Sequence, residues 1–215
     1  MRSNILSRPG VHRVHITVEN NAVHVLTLSL RKERVNLPTW IAMDSLVQPL
    51  VTQRLCLVPC SKEMARAAIS DRARLKELLG MDVPENWPHD VLRGLLPLYA
   101  RQLEDDPVLL GWGIWLILLP DQRALIGDIG FKGTPNHGSV EIGYAVVPEH
   151  RQRGYASEAA RALAAWALAQ PTVTRVLAEC DCNNKPSIQV LRKMGMQPTG
   201  EDGDLLRWEL HLDRN

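Results

Sequence analysis

The sequence predicts an α/β domain built on a mixed β-sheet and preceded by a β-rich N-terminal extension. Three apolar stretches with short connections, at 113–119, 124–131 and 139–147, are typical of an antiparallel meander. A helical pattern then separates the third stretch from another strand pattern at 174–181. A helix between two strands is the usual connection of a parallel pair, and that connection is nearly always right-handed.

Composition excludes several classes of function. The chain has 215 residues and a formal net charge of +1, so no global field favours nucleic acid or an anionic membrane as a partner. The longest apolar stretch, 108–119, is too short to span a bilayer. The first residues lack the apolar segment of a secretory signal. We therefore expect a cytoplasmic protein.

The first part of the chain divides at about residue 50. Residues 1–50 are predicted to form the extension, in which strand patterns at 11–18 and 23–30 indicate a hairpin. Residues 51–215 form the second predicted domain. This domain starts with elements that precede the meander. A strand at 54–58 is followed by one or two amphipathic helices, which start at a Ser61 cap and carry apolar residues across 64–79. A helix at 90–103, interrupted by Gly94 and Pro97, comes next.

The second part of the domain alternates helices and strands. Residues 155–169 carry apolar side chains at helical spacing, and a proline follows the end of this pattern. The remaining predicted elements are the strand at 174–181, a helix at 186–194 and a last strand at 205–212. In that last strand, leucine and tryptophan alternate with charged residues, which predicts one buried and one exposed face.

The loop at 148–156 has the features of an anion-binding site. Gly154 lacks a Cβ, so the backbone can approach a ligand closely. The helix predicted to begin at Tyr155 offers unpaired N–H groups at its positive end, and Arg151 and Arg153 add full charges. This pattern indicates a cradle for a pyrophosphate. A solvated turn before an ordinary helix is the alternative, and neither a Walker loop nor a full dinucleotide fingerprint is present.

A family resemblance adds to this interpretation. Arg151-x-x-Gly154-x-Ala156 resembles the signature (Gln or Arg)-x-x-Gly-x-(Gly or Ala) of the GNAT superfamily of N-acetyltransferases. Residues 140–147 resemble the fourth strand of that family. Residues 183–196 resemble its Asn-x-x-Ser segment, with Met196 in place of the usual aromatic residue. The sequence of these motifs is most similar to the branch of the family that acetylates N-termini of ribosomal proteins. That branch also contains enzymes for small amines and antibiotics.

The resemblance implies a centrally splayed sheet with helices on both faces and acetyl-CoA as cosubstrate, without a metal. The pantetheine arm would lie between the fourth and fifth strands, where Val146 and Val147 would offer backbone groups to it and to the thioester. Asn184 would contact coenzyme A or only cap the helix that follows it. The remaining residues expected to bind the cofactor surround the pyrophosphate: Arg151, Gln152, Arg153, Gly154, Tyr155, Ala156 and Ser157.

The implied reaction is direct attack of a primary amine on the thioester in a ternary complex. Glu141, in the cleft strand, is the predicted catalytic base; the alternative is that it orders the site or binds the substrate ammonium. Many relatives use a tyrosine to protonate the departing thiolate, but Leu191 stands at that position. Ser187 is the predicted replacement, with an ordinary serine in the first helical turn as the alternative, and Tyr144 is a second donor to consider.

Other functions and partners stay open at the level of the sequence. The acceptor is either a polypeptide N-terminus or a small molecule, and a homodimer is an open alternative. Two alternatives to an enzyme stay open. The chain is a non-catalytic sensor that binds acyl-CoA, or it is an interaction protein that works through its N-terminal hairpin. The four cysteines lack zinc-like spacing and nearby histidines, so we expect free thiols and no metal site. They are Cys56, Cys60, Cys180 and Cys182.

Overall fold

The computed structural model describes residues 13–19, 22–28 and 47–211, with side chains from residue 47 onward. The described residues form ten strands and five α-helices. In chain order these are β1 Arg13–Glu19, β2 Ala22–Leu28, β3 Leu50–Val51, β4 Cys56–Pro59, α1 Lys62–Ser70, α2 Arg72–Leu79, α3 Asp90–Asp105, β5 Ile114–Leu119, β6 Ala124–Phe131, β7 Ser139–Val146, α4 Tyr155–Leu168, β8 Arg175–Asp181, α5 Lys185–Lys193, β9 Gln197–Asp202 and β10 Leu205–His211.

The strands form one mixed sheet in the order β2-β1-β3-β4-β5-β6-β7-β8-β10-β9. The predicted meander β5-β6-β7 is antiparallel, and β7 and β8 are parallel neighbours joined through α4. These findings confirm the mixed α/β fold. The predicted hairpin is present as the antiparallel pair β1-β2, which meets β3 at Arg13 and Val51. The division at residue 50 stays a prediction, and Leu212 lies outside the described residues.

The sheet is splayed at its centre, between β7 and β8. β6 accompanies β7 along its length, from Phe131 opposite Ile142 to Gly127 opposite Val146. The pairing between β7 and β8 extends only from Ser139 to Glu141. The two strands have therefore separated where β7 continues toward Val146, and a gap opens between them.

Helices cover both faces of the sheet. On one face, α4 packs through alanines and Leu163 against strand residues such as Val140 and Trp115. On the other face α1, α2 and α3 bury residues such as Met64 and Leu96. Small side chains along α4 let the helix approach the sheet closely, so that its first turn lies directly beside the end of β7. This three-layer packing of helices, sheet and helices produces two apolar cores separated by the sheet.

Two local predictions differ from the structure. The predicted interruption of α3 at Gly94 and Pro97 is wrong, because one helix runs through both residues. Pro97 removes one intrahelical hydrogen bond, and the burial of apolar side chains along the same helix, including Leu96 and Ala100, outweighs that loss. β9 was not predicted at all. Its residues are exposed, so they lack the alternation that marks a strand, and β9 forms by pairing with β10.

Candidate active site

The gap between β7 and β8 widens into a cavity of about 730 Å³. The end of β7 forms one wall, and the N-terminal part of α4 and one side of α5 form the others. The lining residues are Tyr144, Ala145, Val146, His150, Arg151, Gln152, Gly154, Tyr155, Ala156, Ser157, Asn184, Pro186, Ser187, Gln189, Val190 and Lys193. Most residues that the sequence predicts to bind a cofactor are brought together here. Arg153, Val147 and Glu141 are not among the lining residues.

The N-terminus of α4 faces this cavity without a side-chain cap. Gly154 occupies the N-cap position, and the first intrahelical bond runs from the Glu158 N–H to the Gly154 carbonyl. The N–H groups of the preceding first-turn residues are left by helix geometry without an intrahelical acceptor. Tyr155, Ala156 and Ser157 all line the cavity. An anion in the cavity would meet these N–H groups at the positive end of the helix.

The loop before α4 turns sharply to present this helix end. Gln152 and Gly154 both have left-handed backbone conformations, with φ of 61° and 80°. Glycine adopts that conformation without steric cost, whereas a β-branched residue does not. Arg151 folds back from the loop, and its Nε donates to the Val146 carbonyl at 2.8 Å. The guanidinium charge is thereby fixed beside the end of β7.

Arg54 holds the loop from outside the predicted motif. Its guanidinium donates to the Arg153 carbonyl at 2.9 Å and lies 4.5 Å from the centre of the Tyr155 ring. It also pairs with Glu158 at 2.7 Å, and the Thr52 hydroxyl donates to the same carboxylate. Burial opposes ionisation of Glu158, but these hydrogen bonds outweigh it and hold the pKa of Glu158 below its ordinary value. The turn between β3 and β4 therefore anchors the first turn of α4.

The backbone of β7 offers one amide to the gap. The Val147 N–H donates to the Ile126 carbonyl, and the Val147 carbonyl accepts from His150. Backbone groups alternate in direction along a strand, so the Val146 N–H and carbonyl point away from β6 and toward the gap. The hydrogen bond from Arg151 to the Val146 carbonyl agrees with that direction. Val146, and not Val147, is the residue whose amide can meet a ligand here.

Polar side chains from β7 and α5 meet on the opposite wall. The Tyr144 hydroxyl lies 3.0 Å from the Ser187 Oγ and 3.3 Å from the Ser187 carbonyl. Burial is the main reason why the pKa of Tyr144 rises to about 12. The Asn184 side chain accepts from the Ser187 N–H at 3.1 Å, so it caps α5 while it also lines the cavity. Both roles predicted for Asn184 therefore fit its position.

Glu141 lies where β7 and β8 are still paired. Its backbone is opposite Leu177, and its half-buried carboxylate forms an ion pair with Lys132. Arg153 contributes its carbonyl to the Arg54 contact, and its side chain is not part of the cavity wall. The sequence could not place these groups, because both depend on where β8 leaves β7 and on how the loop is held.

Features of other functional classes are absent from the part of the chain that the structure describes. Cys56, Cys60 and Cys180 are buried, Cys182 is exposed, and all four are free thiols. Within residues 13–19, 22–28 and 47–211, no group of three or more histidine, cysteine or acidic side chains is arranged to hold a metal ion. Across the same residues, no helix is both long enough and apolar enough to cross a membrane.

The fold and the splayed cleft agree with comparisons to known proteins. Residues 54–197 match the family model described as the acetyltransferase (GNAT) domain. The chain therefore belongs to the GNAT acetyltransferase family. It is 32% identical over 161 residues to the uncharacterized N-acetyltransferase YjdG of Bacillus subtilis, an alignment that covers 74% of this chain and 95% of that protein.

Solved structures with the same fold include ribosomal-protein acetyltransferases. A ribosomal-protein-S5-alanine acetyltransferase from Vibrio fischeri superposes with a TM-score of 0.58 at 13% identity, covering 77% of this chain and 97% of that one. RimL, a ribosomal L7/L12 alpha-N-protein acetyltransferase solved with coenzyme A, superposes with a TM-score of 0.55 at 18% identity, covering 76% and 97%. At these identities the likeness concerns the fold alone.

Proposed function

We propose that the protein is an N-acetyltransferase that moves the acetyl group of acetyl-CoA to a primary amine by direct attack in a ternary complex. The observation that carries the proposal is the meeting of the β7-β8 gap with the uncapped N-terminus of α4. The gap is an opening in the sheet for an extended pantetheine chain, and the helix end supplies donors for the anion attached to it.

Backbone groups perform most of the cofactor binding in this proposal. The N–H groups of the first turn of α4 hold the pyrophosphate, together with the charge of Arg151. The Val146 N–H donates a hydrogen bond to the thioester oxygen and stabilises the negative charge that develops there when the amine attacks. Arg54 contributes indirectly by fixing the loop, and Asn184 and Lys193 line the far wall.

The acceptor amine must lose a proton before it attacks. The pKa of an alkyl ammonium is about 10.4, so the reactive neutral form is scarce near pH 7. A carboxylate near the thioester would accept the proton that leaves the amine. Glu141 stays a candidate for this role. Its carboxylate already binds one ammonium group, that of Lys132, and a substrate ammonium would have to compete with it.

Tyr144 and Ser187 supply the hydrogen bond to the departing thiolate. The pKa of Tyr144, about 12, is well above the value of about 8.5 for an ordinary thiol, so full proton transfer from Tyr144 is unfavourable. Hydrogen-bond donation is the favourable alternative. We expect kcat to fall about tenfold in Tyr144→Phe and in Ser187→Ala, whose backbone N–H still pairs with Asn184. Unchanged kcat in both variants would exclude this role.

The acceptor class is proposed from the family, and an acetylation assay can test it directly. Incubation of the purified chain with acetyl-CoA and a panel of peptides and polyamines, read out by mass, should show one acetyl group added to an amine above the non-enzymatic rate. Peptides that begin with alanine or serine represent the ribosomal-protein N-termini of the structural neighbours. Binding of acetyl-CoA without transfer to any member of the panel would support the sensor instead. Action in the cytoplasm and association into a homodimer stay predictions.

A further inference from the structure

Asp128 is a buried charged residue in the middle of the sheet. Only 8% of its surface is exposed, and within the described part of the chain Ser157 is the only other buried polar residue. Asp128 lies on β6, directly opposite Ala145 of β7. Burying a carboxylate is unfavourable unless hydrogen bonds or charges compensate it. Nothing in the cofactor cleft explains why the sheet carries a charge at this point.

The partners of Asp128 hold the carboxylate but leave its charge in place. Trp87, whose ring is fully buried, donates from Nε1 to Asp128 Oδ1 at 2.9 Å. His89 Nε2 lies 3.5 Å from Oδ2, at the outer limit of a hydrogen bond. Cys60 is also near Asp128. Burial is the larger cause of the raised pKa of the Cys60 thiol, and the negative charge of Asp128 is the smaller cause. The Oδ2 atom therefore keeps capacity for a stronger donor.

The tautomer of His89 follows from its second contact. His89 caps α3, and its Nδ1 accepts from the Leu92 N–H. The proton of the neutral ring is therefore on Nε2, directed at Asp128. The hydrogen bond to Asp128 raises the pKa of His89. With 41% of its side chain exposed, His89 covers the buried carboxylate on the side that faces solvent.

Asp128 lies next to the place where the thioester is proposed to react. Residues directly opposite in an antiparallel pair point to the same face of the sheet. Ala145, opposite Asp128, lines the cavity, and it precedes Val146, whose N–H faces the gap. Gly143, the next residue on that face of β7, is exposed, with open space where a Cβ would lie. Beside Asp128 the surface of β7 is thus formed by Gly143 and Ala145, which leave room for a substrate.

We propose that Asp128 binds the ammonium group of the acceptor and accepts its proton, with Trp87 and His89 as positioning residues. The inference rests on the proposed function. One N–H bond of the ammonium breaks, its proton joins an Asp128 oxygen, and the lone pair attacks the thioester carbon. The C–S bond then breaks, the thiolate takes the second proton lost from the amine nitrogen, and Asp128 releases the first proton to solvent when the products leave.

This placement separates the two substrates by the faces of the sheet. The cofactor lies against α4 and α5, whereas Asp128, Trp87 and His89 belong to the face covered by α1 and α3. Because β7 and β8 have separated, an amine held at Asp128 can reach the thioester through the opening. The preferred acceptor is an amine that carries a positive charge, because Oδ2 binds a charged donor better than a neutral one.

The test uses Asp128→Asn, which keeps an acceptor for Trp87 and removes the charge. With the panel acceptor that has the highest kcat/KM, we expect kcat/KM for the amine to fall about 100-fold. The acidic limb of the pH profile of kcat/KM should flatten, while calorimetric titration gives a dissociation constant for coenzyme A within twofold of wild type. Asp105→Asn, an exposed aspartate at the end of α3, is the matched control and should keep wild-type kinetics.

Further variants separate the outcomes. Asp128→Glu restores the charge and should recover part of kcat/KM, which a purely structural role would not require. His89→Gln should move the pH profile without removing activity. Wild-type kcat/KM in Asp128→Asn, or a loss seen only in Glu141→Gln, would overturn the assignment of Asp128 and leave the acetyltransferase function intact. Failure of the wild-type chain to acetylate any amine would overturn the proposed function, and this inference with it.

Discussion

Among the five α-helices of the described residues, α4 begins differently from the other four. Each of those four has an N-cap side chain that accepts a hydrogen bond from a first-turn N–H, and the caps are Ser61 for α1, Asp71 for α2, His89 for α3 and Asn184 for α5. At α4 the N-cap is Gly154, which has no side chain to offer. Unpaired N–H groups need an acceptor, and this difference between the helices is the reason why we propose that a bound anion caps α4.

A side chain at the N-cap of α4 should have the largest effect on the affinity for coenzyme A. Gly154→Val places a β-branched residue at a φ of 80° and a Cβ 3.4 Å from the Arg54 guanidinium that holds the loop. We expect the affinity for coenzyme A to fall at least about tenfold, which corresponds to ~1.4 kcal/mol. Calorimetric titration of both proteins measures it.

Gly200→Val is the matched control for this variant. Gly200 lies in β9 with nothing within 4 Å of an added Cβ, so valine fits its strand conformation and coenzyme A affinity should not change. Equal affinities of wild type and Gly154→Val would show that the loop before α4 is not the anion cradle.

Removing a cap elsewhere should affect stability and not binding. In Ser61→Ala the Met64 N–H loses its 3.2 Å hydrogen bond, and the free energy of unfolding should fall by about 1 kcal/mol. Urea denaturation checks the loss. The dissociation constant of coenzyme A should stay within twofold, since α1 lies on the opposite face from the cleft. A binding defect as large as that of Gly154→Val would erase the distinction between the two helix ends.

Removing the Arg54 contacts that hold the loop before α4 should weaken coenzyme A binding less than Gly154→Val does. Arg54→Ala removes the contacts to the Arg153 carbonyl and the Tyr155 ring but leaves the first-turn N–H groups in place. We expect coenzyme A affinity to fall about threefold, equivalent to ~0.6 kcal/mol. Arg66→Ala, which breaks a comparable ion pair with Glu104 away from the cleft, serves as the control. A tenfold loss in Arg54→Ala would instead place Arg54 in direct contact with the ligand.

The smallest expected effect is the pH dependence of the stability that Glu158 contributes. Glu158 has a folded-state pKa below its ordinary value of 4.5, so its ionised form stabilises the fold above that value and the stabilisation disappears as pH falls through the folded pKa. The difference in unfolding free energy between wild type and Glu158→Gln should therefore be constant between roughly pH 6 and 8 and shrink below about pH 4.5. Urea denaturation across this pH series measures the difference, and one that grows on acidification would contradict the assignment.

The sequence predicted elements that local patterns determine. The meander of β5, β6 and β7 and the helix α4 follow from periodicity, and the Ser61 cap follows from its position before good helix formers. The sequence predicted the helix α3 but wrongly placed an interruption in it, and it did not predict β9; at both places tertiary contacts override local preference. Packing carries α3 through Pro97, and pairing with β10 makes β9 a strand although its residues are exposed.

The site divides in the same way. The loop residues around Gly154 and the serine at 187 are recognisable because they are contiguous motifs. Arg54 and Asp128 are not, because each acts on residues far away in the chain: Arg54 on Arg153 and Glu158, and Asp128 on Trp87 and His89. A buried aspartate inside an apolar strand pattern was the available signal for Asp128. Glycines at positions 127 and 130 partly concealed that signal by breaking the alternation.

Amide chemical shifts test the central claim most directly. In a titration of the ¹⁵N-labelled protein with coenzyme A, the N–H signals of Tyr155, Ala156 and Ser157 should move most, together with that of Val146. The signals of Lys62 and Glu63, which begin the capped helix α1, should stay in place. Binding of coenzyme A with unmoved signals at the start of α4 would contradict the account, because the uncapped helix end would then have no part in holding the ligand.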